Sequence, residues 1–283
     1  MKMIEIPKQT FMMGTNDHLG FVKDMEGPAT PVTVERFSIA DTPVTNRDFA
    51  AFVQSTGYQT TAEKVGQSQV FALFVPEERR EQYQHPIDKP WLLTVSGADW
   101  AHPFGPTSNL NYAYMDHPVV HVSLADALAY CEWAGMTLPN EAEWECATRA
   151  GTQTTYPWGD ELVDMGGYHA NTWQGEFPWH NSAKDGYVGT ADVHTYEPNG
   201  YGLYQMLGNV WEWCANPRYT PLGRFNEETF ALKEAPTEGE YAIRGGSFLS
   251  HSSYCNRYRS AARFGVAYDM TNGQLGFRCI KRY

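Results

Sequence analysis

Arg244-Gly245-Gly246-Ser247-Phe248-Leu249-Ser250-His251-Ser252-Ser253-Tyr254-Cys255-Asn256-Arg257-Tyr258-Arg259, running on through Arg263 to Gly276-Phe277-Arg278-Cys279, is the stretch on which the reading of this chain turns. It sets one thiol, Cys255, in a field of arginine, histidine and tyrosine. Nearby cations favour the thiolate, the reactive and metal-binding form of cysteine. The same pattern suits a buried structural cysteine beside salt-bridged arginines, and the residues alone leave both readings open.

Outward from this block, composition narrows the class. The net charge is −12, from 33 acidic and 21 basic residues. That argues against a nucleic-acid or anionic-membrane partner and is compatible with binding hard cations through carboxylates. Nine Trp and 17 Tyr, with 25 Gly and 17 Pro, point to large rings held by turns rather than to aliphatic helix stripes. The start, Met1 to Pro7, lacks the apolar run of a signal peptide. No 18-residue apolar stretch occurs, so no membrane span is expected. Five cysteines without a leader suggest a reducing compartment, and a cytoplasmic location is expected. No linker, charged run or repeat marks a boundary, so residues 1–283 are expected to form one domain.

Three stretches read as helices. Thr45 to Val53 has Thr45 or Asn46 as cap and stops at Gly57. Ser123 to Ala134 opens on a Ser-Leu-Ala-Asp cap and ends at Gly135. Asn140 to Ala150 has Asn140 and Glu143 at capping-box spacing, and its acidic first turn suits the helix dipole without further function. Strands are expected at 31–34, 37–39, 117–122 and 275–279. From Thr152 to Asn209 neither periodicity holds, yet Trp158, Trp173 and Trp179 argue for packed coil rather than disorder. Ordered coil must satisfy its backbone carbonyls, and bound cations are one way.

Two coil segments carry oxygen donors of the mixed type calcium takes. Asn171-Thr172-Trp173-Gln174-Gly175 with Asp185-Gly186-Tyr187 is the first, and Gln205-Met206-Leu207-Gly208-Asn209-Val210-Trp211-Glu212 the second. Turn chemistry and a satisfied core carboxylate explain the same residues. The sequence has no HExxH, CxxC or GxSxG pattern, and His117 and His121 read as packed or hydrogen-bonded rather than as ligands.

Together the blocks resemble the formylglycine-generating enzyme, or sulfatase-modifying factor, family over nearly the whole chain. Thr42-Pro43-Val44-Thr45-Asn46, His117-Pro118-Val119-Val120-His121-Val122-Ser123, Leu138-Pro139-Asn140-Glu141-Ala142-Glu143-Trp144-Glu145, Tyr156-Pro157-Trp158-Gly159, Gly208-Asn209-Val210-Trp211-Glu212-Trp213 and the C-terminal block carry the likeness. It implies an α+β, variant C-type-lectin-like fold with little regular secondary structure. It also implies two calcium sites: Asn171, the Thr172 carbonyl, Asp185 and the Tyr187 carbonyl at the first, and Gln205, the Gly208 and Val210 carbonyls and Glu212 at the second. Gln205 stands where the family has a shorter Asn or Asp. Cys131 and Cys279 match positions that form a disulfide in secretory-pathway members, and are expected as neighbouring thiols in a cytoplasmic protein.

Family enzymes hold Cu(I) on two cysteines five residues apart, bind O2, and oxidise a cysteine in a Cys-x-Pro-x-Arg segment of a sulfatase to formylglycine. Here Cys255 is the second cysteine, but Ser250 occupies the first position. A serine hydroxyl is a hard, weakly acidic ligand and should hold copper poorly. Ser247, Tyr254, Trp211, Arg259 and Arg263 remain in family positions, with the arginines expected to favour the thiolate. Gln274 replaces an expected Asn, and residues 265–273 depart from the family pattern. The leading reading is therefore an oxidase-type protein acting on a peptidyl cysteine, inactive or altered through Ser250. Its partner is expected to be a peptide or unfolded sulfatase segment, and the chain a monomer. A non-catalytic peptide- or sulfatase-binding paralogue is the alternative, and a non-haem iron oxygenase-like relative is third.

Overall fold

The computed structural model describes all 283 residues. The three expected helices form where their caps placed them. Helix α1 (Asn46–Thr56) follows Thr45, whose hydroxyl accepts from the Asp48 amide while the Asp48 carboxylate accepts from the Thr45 amide; it ends on left-handed Gly57. Two short helices were not anticipated. Helix α2 (Thr61–Val65) has the same reciprocal cap, from Thr60 and Glu63, and α3 (Glu77–Arg80) is one turn. Helix α4 (Leu124–Trp133) is capped by Ser123, and α5 (Glu141–Arg149) by Asn140. No helix is long and apolar enough to cross a membrane.

Regular structure is sparse, as the Gly, Pro and aromatic content implied. The largest sheet has four strands in the order Phe264–Ala267, Glu240–Arg244, Trp211–Pro217, Leu275–Gly276. Its last pair is parallel, with Trp211 opposite Leu275, and the others are antiparallel. A three-stranded sheet sets Phe37–Ala40 between the first strand, Met3–Ile6, and the last, Ile280–Arg282. The expected strand at 31–34 pairs with Gln9–Met13. Residues 152–209 contain only two-residue strands.

The segment 117–122 is not a strand. It forms one isolated bridge, Thr45 to Pro118, and scattered single bonds: the Asn46 amide donates to the His117 carbonyl, the Val119 amide to the Val44 carbonyl, and the His121 amide to the Asn272 carbonyl. Pro118 has no amide to donate, and His121 takes a left-handed φ of 62°, so the alternation cannot continue. At 275–279 only Leu275–Gly276 pairs, before a new ladder begins at Ile280.

Two apolar clusters fill the interior. One gathers Ile6, Phe37, Trp144 and Leu207, and the other Phe49, Tyr130, Trp213 and Phe277. Helix α5 is buried on all sides. Its acidic turn therefore does more than meet the dipole: Glu141 pairs with Arg263 and Arg244, Glu145 with Arg244 and Arg149, and Glu143 with Arg282. A buried carboxylate needs such a partner.

Candidate functional site

The C-terminal block leaves the strand Glu240–Arg244 through Gly245 and Gly246, both with positive φ. A Cβ on Gly246 would stand 2.9 Å from the Tyr258 Cβ and 3.0 Å from the Ser250 Oγ, so only glycine lets the loop close on itself. Beyond it the chain folds into a tight knot. The Ser247 amide donates to the Ser250 hydroxyl at 3.0 Å, the Ser250 amide to the Ser247 carbonyl at 2.9 Å, and the Cys255 amide to the His251 carbonyl at 2.7 Å. The knot buries both Ser250 and Cys255, and holds Ser250 Oγ 4.0 Å from Cys255 Sγ.

The arginines divide into two kinds. Arg257 Nη1 donates to Cys255 Sγ at 3.8 Å, and its Nε donates to Asp24 at 2.5 Å. Burial works against its charge, but Asp24 and the Cys255 sulfur keep the guanidinium firmly protonated. Arg259 instead grips Glu26 with two bonds of 2.7 and 2.8 Å, and Arg263 grips Glu141 at 2.9 and 2.6 Å. Neither donates to the thiol. The expected field of cations around Cys255 thus resolves into one arginine at the sulfur and two that anchor the loop to buried carboxylates.

Tyr254 stacks on Phe177 with centroids 4.7 Å apart and meets Trp91 edge-on at 4.4 Å. These rings come from distant coil and form a partly exposed aromatic wall beside Cys255. Lys89, two residues before Trp91, lies close enough to Cys255 for their charges to interact. Burial pushes its ammonium below the ordinary lysine range, and the sulfur opposes that shift. Ser247 donates its hydroxyl to Gln274 in a short contact. Trp211 is buried on the central strand, its ring 5.7 Å from Phe264. Sequence reasoning did not single out Lys89, Asp24, Trp91 or Phe177; only Lys89-Pro90-Trp91, a cation and a ring around a turn former, offered a local signal.

The two oxygen sets differ. At the first, Asn171 is buried, its Nδ2 donates to the Gly189 carbonyl, and its Oδ1 has no partner. The Thr172 carbonyl and the Asp185 carboxylate converge on one spot, where the Gln174 amide nitrogen contacts both. Burial pushes the Asp185 carboxyl up, and amide donors from Tyr187, Gln174 and Thr172 oppose it. A buried orphan oxygen beside a carboxylate and a carbonyl fits a hard cation.

At the second set Gln205 Oε1 is also buried without a partner. Gly208 has a φ of 75°, and a Cβ there would run into the Asn171 carbonyl oxygen. The only carboxylate, Glu212, already accepts from Arg278 at 2.9 Å through each oxygen and from Trp144 Nε1 at 2.8 Å. Its charge is matched, so these residues do not fit a divalent ion as the first set does. Between the two sets Asn209, fully buried, bonds the Ala191 amide and carbonyl and Asn171. No three His, Cys, Asp or Glu side chains converge into a ligand cluster. Cys131 and Cys279 are buried thiols with sulfurs 3.4 Å apart.

Comparison with known proteins agrees with this architecture. The family model described as a sulfatase-modifying factor enzyme 1-like domain matches residues 1–283. The formylglycine-generating enzyme of Mus musculus is 47% identical over 281 residues, covering 98% of this chain and 74% of the relative. A protein named inactive C-alpha-formylglycine-generating enzyme 2, also from Mus musculus, is 41% identical over 281 residues, covering 98% and 84%. Among solved structures, PvdO from Pseudomonas aeruginosa shares the fold with a TM-score of 0.68 at 24% identity, covering 99% of this chain and 94% of that one. The fold class expected from the sequence is the one found: mixed α and β with few helices, in the company of formylglycine-generating-enzyme-type folds. With its whole length matched and close to half its residues identical to such an enzyme, the chain belongs to the formylglycine-generating enzyme, or sulfatase-modifying factor, family.

Proposed function

We propose that the chain binds a cysteine-bearing peptide segment, such as an unfolded sulfatase segment, over the Ser250–Cys255 knot, and that Ser250 removes the oxidation step that a second thiol there would support. The observation that carries the reading is the 4.0 Å approach of one hydroxyl to one sulfur in a buried pair. Cu(I) takes soft donors, and one thiolate with a serine oxygen is not a donor set that holds it. The native pair should therefore hold Cu(I) poorly.

What the residues do follows from their places. The Tyr254, Phe177 and Trp91 rings offer apolar area to a peptide segment. Arg257 fixes the Cys255 sulfur from one side, with Asp24 holding the guanidinium in place. Arg259 and Arg263 act as positioning residues that tie the knot to Glu26 and Glu141. Calcium at Asn171, Thr172, Asp185 and Tyr187 would neutralise Asp185 and brace coil that no ladder supports.

The test uses a Cys-x-Pro-x-Arg peptide with Cu(I), O2 and a thiol reductant, followed by mass spectrometry. The native chain binds the peptide and leaves its mass unchanged, whereas Ser250→Cys yields the mass loss of aldehyde formation. Aldehyde formation by the native chain, or no peptide binding by either form, would overturn the reading. Peptide binding by both forms with turnover by neither would leave the chain a binding paralogue whose oxidase machinery is lost beyond Ser250.

A further inference from the structure

Behind the Phe248-Leu249 step of the C-terminal block lies a cavity of about 520 Å3, within the range of roughly 300–1,000 Å3 typical of small-molecule sites. Phe248 and Leu249 line it, whereas Ser250, Tyr254 and Cys255 do not. Its wall is mostly apolar and holds a phenylalanine cluster: Phe74 packs against Phe71, Phe104 and Phe248 with centroids 5.4, 5.2 and 5.9 Å apart. No Asp, Glu, Lys or Arg is among the lining residues.

The two lining histidines bring no charge either. His121 is hydrogen-bonded through both ring nitrogens, to Ser68 at 2.8 Å and to the Pro103 carbonyl at 2.9 Å, and burial pushes its pKa down to about 4. Burial also pushes His117 down, and its Nδ1 is bonded to Thr190 at 2.9 Å. His117 and His121 thus share one wall, although spacing along an irregular segment gave no sign of it.

Two buried polar groups on the lining residues have no partner in the protein. Asn46 donates its amide to the Tyr114 carbonyl at 2.8 Å, but its Oδ1 is buried and unpaired. Trp100 Nε1 is buried and unpaired as well. Gln274, a half-buried lining residue, accepts from the Ser247 hydroxyl. Buried polar groups are nearly always satisfied, so an unpaired set around one apolar cavity points to a missing partner.

We propose that this cavity binds an uncharged, ring-containing small molecule that presents a hydrogen-bond donor to Asn46. Apolar walls supply the burial, and an ionic ligand would leave water with no countercharge to meet it. The cavity lies behind the Ser250–Cys255 knot and shares Phe248 and Leu249 with it, but neither Ser250 nor Cys255 lines it, so the proposal stands whether or not the chain oxidises a peptide.

Two dyes with one skeleton test it. N-phenyl-1-naphthylamine is uncharged with one N–H donor, and 8-anilinonaphthalene-1-sulfonate is the same ring system bearing an anion. The neutral dye is expected to saturate one site per chain with enhanced fluorescence, and the sulfonate to bind at least tenfold more weakly. Val120→Phe, at a buried wall position, should abolish binding of the neutral dye with the circular dichroism spectrum unchanged. Ala113→Phe, at an exposed lining position, makes the same test where the first variant does not fold. Equal affinity for both dyes, uptake that never saturates, or unchanged binding in a folded filled variant would sink the proposal.

Discussion

Glu212 stands opposite Arg244 in the register of the central sheet, yet gives its charge to Arg278, a residue just as deeply buried, at 2.9 Å. Arg278 spends its remaining donors on the carbonyls of Ala40, Asp41 and Tyr204. One guanidinium thus ties the sheet, the strand Phe37–Ala40 and the long coil together. Removing one member of a buried pair strands the other without compensation, at about 3–5 kcal/mol. Glu212→Gln should therefore lower the urea midpoint by that equivalent. A change under about 1 kcal/mol would mean that water or another group replaces the carboxylate.

Acid stability should run through Glu141. Burial raises its pKa, and Arg263, Arg244 and Asn216 overcome that, holding the carboxyl below the usual carboxylate range. A depressed folded pKa contributes stability that is present above the unfolded value and lost as pH falls through the folded one. Its share of the acid loss should then fall below the ordinary pKa of 4.5. Glu141→Gln lowers stability at neutral pH and should flatten the dependence in that acid window. Parallel pH curves for the two proteins would assign the acid transition to other groups.

Calcium is tested by its removal. An ion that binds only the folded state stabilises it by about 2.7 kcal/mol at a hundredfold excess over its dissociation constant. Chelator should lower the melting temperature, and Asp185→Ala should remove most of that sensitivity. An unchanged melt in chelator, with no calcium found by elemental analysis, would make Asn171 and Asp185 turn formers only.

Gly246 is the hinge of the knot. Its φ of 75° and the 2.9 Å approach to Tyr258 leave an added methyl nowhere to go. Gly246→Ala should cost about 1–3 kcal/mol and, by prising Ser250 from Cys255, weaken peptide binding as well. Anisotropy of a labelled Cys-x-Pro-x-Arg peptide reads the second effect. Native affinity in a destabilised protein would show that the knot and the peptide surface are independent.

The caps at Thr45, Ser123 and Asn140 were legible because each is written within four residues. Thr60 with Glu63 carries the same signal, but the helix it starts is only five residues long, too short for a helical period to show. The segment at 117–122 misled because β-branched residues alternate there while Pro118 and His121 forbid a ladder. Arg257, Arg259 and Arg263 were visible as charges, but their partners were not. Asp24 and Glu26 each lie 233 residues upstream of the arginine they bind. Charge is local in a sequence and pairing is not, so the thiol's surroundings could be read only as a crowd of cations.

The first and last strands flank one partner, and both run antiparallel to it. Met3 lies level with Ala40 and Arg282 level with Phe37, so the two ends of the chain leave the sheet in opposite directions. A force drawing Met1 and Tyr283 apart would slide the outer strands along the middle one instead of peeling them away. Every rung of both ladders would then bear load at once, which makes this small sheet the mechanical lock of the molecule.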